Sequence, residues 1–148
     1  MLRINLDRKY TYGFADLNQD GTEELLIGYG DAVELGNCFT EALTIKNGKT
    51  SMYFGKSMPT YVCENNVLEC VDTTRNNWRS YDFHDSETGE YGNHIYLNYN
   101  AADGVWLCGT YDKAWPEEIT AEEAQSIIES HPRLQIEMKP ISQYPMDE

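Results

Sequence analysis

Apolar and polar residues alternate with a period of two in several stretches of this chain, the spacing of strands with one buried face. In YTYGF, Tyr10, Tyr12 and Phe14 alternate with Thr11 and Gly13, and residues 1–14 as a whole read as extended. After a polar loop, ELLIGYG reads as a short central strand. The stretch 39–54, FTEALTIKNGKTSMYF, predicts a hairpin. Asn47-Gly48 is a favoured type I′ pair because both residues tolerate positive φ. That turn sets Ile45 opposite Thr50 and Leu43 opposite Met52, so Leu43, Ile45, Met52 and Phe54 share a face. A second hairpin is predicted in TYVCENNVLECVD. With Asn65-Asn66 as a two-residue turn, Cys63 faces Leu68 and Tyr61 faces Cys70. RSYDFHD and NHIYLNYN, joined by the polar SETGEYG, are two further strands, and AADG turns the chain into the strand VWLCG.

One segment, ITAEEAQSIIESHP, has helical spacing. Thr120 is the expected N-cap, Glu123 closes a capping box, and Ala124, Ile127 and Ile128 fall on one face. Pro132 disfavours helix at the residue before it and ends the segment after His131. The tail RLQIEMKPISQYPMDE predicts a short strand at Leu134 to Met138 and then an irregular end. Hairpins follow one another at short intervals with no dividing linker. The expected fold is therefore a single domain over 1–148, mainly β: an antiparallel meander of hairpins with one C-terminal α-helix.

Charge narrows the function. Against 11 Lys and Arg stand 25 Asp and Glu, a formal net charge of −14. Such a chain repels nucleic acid and anionic membrane surfaces and suits solubility as a solvated acidic surface, a cation or a basic partner. No apolar run is long enough for a transmembrane segment. The opening MLRINLDRKYTYGF has no apolar core of a secretion signal. The chain is thus expected to be either cytoplasmic or a mature extracellular domain that begins after its targeting segment. Cys38, Cys63, Cys70 and Cys108 show no C-x-x-C spacing, so a zinc site is not expected. In the expected register Cys63 and Cys70 are diagonal neighbours, roughly 7–8 Å apart at Cα and beyond disulfide reach. Mostly free thiols follow, with Cys38 and Cys108 the better pair if a bridge exists.

Chemistry concentrates in ADLNQDGTEELLIG, residues 15–28. Counting from Asp16, oxygen-bearing side chains fall at positions 1 (Asp16), 3 (Asn18), 5 (Asp20) and 9 (Glu24). Gly21 at position 6 permits a sharp bend, and Thr22 at position 7 offers a backbone carbonyl. Calcium takes six to eight oxygen ligands, and a loop with this alternation can wrap it. An EF-hand also needs a bidentate Glu at position 12 and flanking helices. Position 12 is Ile27, inside a strand-like run, so an EF-hand is rejected. The loop resembles instead the calcium loops of integrin-type FG-GAP repeats, in which an acidic residue at position 9 closes the site before a strand.

A closer resemblance covers more of the chain. YGFADLNQDGTEELLI is similar, at nearly every fixed position, to the Y-x-Φ-x-D-Φ-[DN]-x-D-G-T-x-E-L-L-I segment (Φ apolar) of secreted and lipid-anchored proteins of Gram-positive gut bacteria. In those proteins hairpins of the NGK and ENN-V kind follow, then a late helix opening S/T-x-E-E, as ITAEEAQS does here. The resemblance implies an extracellular or cell-surface, lipoprotein-like domain. Two features depart from it: the opening residues do not read as the N-terminal helix and signal peptide expected of that group, and the four cysteines are not typical of it.

Other constellations carry less. His84 and His94 with Asp82 and Asp85 flank one connection but lack any metalloenzyme spacing. Trp78, Trp106 and Tyr96 raise the prospect of an aromatic, glycan-stacking sheet face, although aromatics at this density are more often core and cross-strand pairs. No nucleophile elbow or phosphate loop is present. The expected function is a non-enzymatic binding or interaction domain with a protein or glycan partner, stabilised by Ca2+ on Asp16, Asn18, Asp20, Thr22 and Glu24. The alternative is a carbohydrate-binding module, and a hydrolase is the distant third.

Overall fold

A computed structural model describes residues 9–72 and 78–143. The extended reading of residues 1–8 and the irregular end beyond residue 143 lie outside the described residues. The chain is mainly β, with antiparallel strands and, among the described residues, one helix longer than two turns. It divides into two compact units, Met1–Pro59 with Ile136–Glu148, and Thr60–Gln135.

In the first unit the strands are β1 (Tyr10–Ala15), β2 (Glu24–Tyr29), β3 (Phe39–Lys46), the start of β4 (Lys49–Cys63) and β10 (Lys139–Pro140), in the order β10-β1-β2-β3-β4. Leu26 faces Gly13 on one side and Ala42 on the other, and it is fully buried with Ala42. Gly13 is small for a reason. A Cβ there would lie 2.7 Å from the Glu137 carbonyl oxygen and 2.6 Å from the Met138 Sδ, so the tail crosses directly over it. The β3–β4 hairpin has the expected turn, with φ of 53° at Asn47 and 73° at Gly48. A hydroxyl contact of 3.1 Å between Thr44 and Ser51 agrees with its expected register. The face opposite to the expected apolar one is the buried face: Thr40, Ala42 and Thr44 are covered, whereas Ile45 and Met52 are exposed. A helix not foreseen from sequence, α1 (Asp31–Leu35), lies between Gly30 and Gly36, which both take positive φ.

The second unit continues β4 with β5 (Val67–Asp72), β6 (Trp78–His84), β7 (Tyr91–Asn100), β8 (Val105–Thr110) and β9 (Glu117–Ile119), each antiparallel to the next. The β4–β5 hairpin differs from the expected register. Cys63 faces Val67, not Leu68, and Thr60 faces Cys70. Glu64 joins Asn65 and Asn66 in the loop, and both Asn residues take φ near 60°. A one-residue shift reverses faces on one strand relative to the other, so Cys63 and Cys70 lie on opposite sides of the sheet. All four cysteines are free thiols.

Helix α2 (Ala121–Glu129) has the expected capping box: Thr120 Oγ1 accepts the Glu123 N–H, and Glu123 accepts the Thr120 N–H. Its Ile127 and Ile128 pack on a core of Cys63, Val67, Tyr81 and Leu97. The expected strand at Leu134 to Met138 does not form. Arg133 makes an isolated bridge to Cys63, and the Leu134 N–H donates to the Val62 carbonyl at 2.8 Å. The tail becomes a strand only at Lys139–Pro140, beside β1. No helix among the described residues is long and apolar enough to cross a membrane.

Candidate metal centre

β1 and β2 pair from Tyr10↔Tyr29 to Ala15↔Glu24, which makes residues 16–23 the loop of a hairpin and Glu24 the first residue beyond it. The loop folds onto its own side chains. Asp16 Oδ2 accepts the Gly21 N–H at 2.9 Å, and Asp16 Oδ1 accepts the Asp20 N–H at 3.2 Å. Asn18 Oδ1 accepts that same Asp20 N–H at 3.2 Å, and Asp20 Oδ1 accepts the Thr22 N–H at 2.8 Å. These contacts close successive turns of the kind Asp and Asn favour. Gln19 (φ 62°) and Gly21 (φ 88°) supply the left-handed bends.

Glu24 sits on the same face of β2 as the buried Leu26, and strand alternation therefore carries its carboxylate inward. It is only 2% exposed, and its Oε2 accepts the Leu17 N–H at 2.5 Å. Burial raises its pKa. The backbone N–H groups of Leu17 and Asn18 pull the other way, and the Asp16 and Asp20 charges push it higher still.

Asp16, Asp20 and Glu24 each place a carboxylate oxygen within 4.8 Å of the others. Together the three can hold a metal ion. Asn18 and Thr22 belong to the same hydrogen-bonded loop, Asn18 half-buried and Thr22 exposed. The donor set is all oxygen, which suits a hard cation. No family model, no curated protein and no solved structure matches this chain.

The other expected residues are not brought together. The β6–β7–β8 register puts Trp78 and Tyr96 on one face and Trp106 on the other. Trp106 packs against the α2 core and lies 5.0 Å from the Tyr99 ring, centroid to centroid. Tyr96 lies across Gly109, where a Cβ would meet its ring at 2.1 Å. His84 meets the Tyr91 ring edge-on, His94 is exposed, Asp82 is buried, and Asp85 caps the Glu87 and Thr88 N–H groups.

Sequence reasoning missed a second charged centre. Glu69, 1% exposed, lies in the middle of β5. It accepts the Tyr81 hydroxyl at 2.6 Å, Arg133 Nε at 2.6 Å and Arg79 Nη1 at 3.3 Å. The one available signal was an acid placed within VLECVD, a run otherwise apolar up to Asp72.

Proposed function

We propose that the Asp16–Glu24 loop binds one calcium ion, and that the chain is a non-enzymatic binding or interaction domain which this ion stabilises. The observation that carries the reading is the carboxylate trio, with oxygens within 4.8 Å and one member buried. Three like charges so close repel one another, and a dication removes that cost. Asn18 and the Thr22 carbonyl complete an oxygen shell in this reading. Calcium is favoured over magnesium because a loop bent by backbone turns suits a larger, less exacting coordination sphere. The likeness to FG-GAP-type loops and to secreted and lipid-anchored proteins supports an extracellular or cell-surface setting.

Calorimetric titration of the metal-stripped protein tests the reading. Calcium should bind saturably at one site, magnesium more weakly. Asp20→Ala should abolish the calcium heat while its circular dichroism stays that of a β protein. Absence of calcium binding in the unsubstituted chain would refute it.

A further inference from the structure

Glu69, Arg79 and Arg133 form an ion triad whose charge does not balance. One guanidinium neutralises one carboxylate, and the Tyr81 hydroxyl already supplies a further donor at 2.6 Å. The second guanidinium leaves a positive charge over. The chain has 25 acids to 11 bases, and two guanidinia on one carboxylate invert that overall ratio locally.

The two guanidinia are held but not used up. Arg133 stacks on the Tyr61 ring at 3.6 Å from its centroid, while its Nε donates to Glu69. Arg79 reaches the other oxygen of the same carboxylate. Glu69 is buried, whereas the Arg79 and Arg133 side chains remain 29% and 43% exposed. Each guanidinium carries five N–H donors in a planar fork that matches oxyanions, and its contact with Glu69 takes only part of them. A stacked, ion-paired fork has already lost its rotamer freedom, which lowers the cost of gripping a ligand.

We propose that Arg79 and Arg133, preset by the buried Glu69 and the Tyr61 ring, form a binding site for an oxyanion group: a carboxylate, sulfate or phosphate. The site lies within the second unit. The test follows the guanidinium Nε–H signals of the nitrogen-15-labelled full chain during titration with sodium sulfate and with sodium acetate. Sodium chloride at matched ionic strength is the reference. Saturable shifts at Arg79 and Arg133 with sulfate or acetate, and none with chloride, are expected. Stronger acetate binding assigns a planar carboxylate ligand, stronger sulfate binding a tetrahedral one. Arg133→Gln should weaken the response at Arg79 at least tenfold. Should that variant fail to fold, the unsubstituted titration decides by itself. Shifts that are linear in salt and equal in chloride would overturn the proposal and leave an internal ion triad.

Discussion

Glu24 and Glu69 are both acids on the inward face of a strand, and their charges are met in opposite ways. Glu69 has two guanidinia and a phenol. Glu24 has the backbone N–H groups of Leu17 and Asn18, with two further carboxylates opposing it. Like charges around a buried carboxylate raise the cost of its ionisation, and this contrast is the residue-scale support for the proposed cation. Near Glu69 lies a second titratable group, Cys63. Burial first, then the Glu69 charge, push its thiol from an ordinary 9.0 up to about 12. The folded chain thus keeps this proton where the unfolded chain loses it. The stabilisation is complete below pH 9.0 and is lost as pH rises towards about 12. Urea unfolding at about pH 8 and about pH 10.5 should show the decline, and Cys63→Ala should flatten it by about 2 kcal/mol at most. An unchanged slope in the variant would place the alkaline loss elsewhere, with Tyr81, whose hydroxyl is also raised by burial, the next group to examine.

At the scale of elements, local chemistry decided what was legible. Asn47-Gly48 admits one tight turn, and the hairpin formed around it as expected. Asn65-Asn66 is ambiguous, because two Asn residues take left-handed φ equally well in a two-residue or a longer loop. Nothing local fixes whether Glu64 ends the strand or enters the turn, and the register moved by one. The carboxylate trio was legible because it lies within one short loop. The Glu69 triad was not, since Arg133 is 64 residues from its partner. Helix α1 was hidden by its length and its two flanking glycines. Helix α2 was announced by its capping box, and that box should carry measurable stability. Thr120→Ala removes one reciprocal hydrogen bond and should cost about 1 kcal/mol in denaturant unfolding, whereas Thr120→Ser should retain most of it. Equal stability of the two variants would show that tertiary packing alone holds α2.

On the scale of the whole molecule, charge is the feature that bears on function. A net charge of −14 disfavours the compact state through self-repulsion. Any salt will relieve part of that, by screening that grows smoothly with ionic strength. A site-bound ion acts differently: it stabilises by mass action, roughly 2.7 kcal/mol at a hundredfold excess over its dissociation constant. Its effect starts at low concentration and depends on named ligands. Asp16 lies in the loop and Glu24 opens β2, so an ion held between them ties the loop to the strand behind it. Thermal unfolding of the full chain at constant ionic strength separates the two effects most directly. Calcium should raise the melting temperature well above its value in chelator, magnesium should do less, and Asp20→Ala should remove the difference. Identical melting in calcium and in chelator would mean that the loop is an acidic turn without an ion.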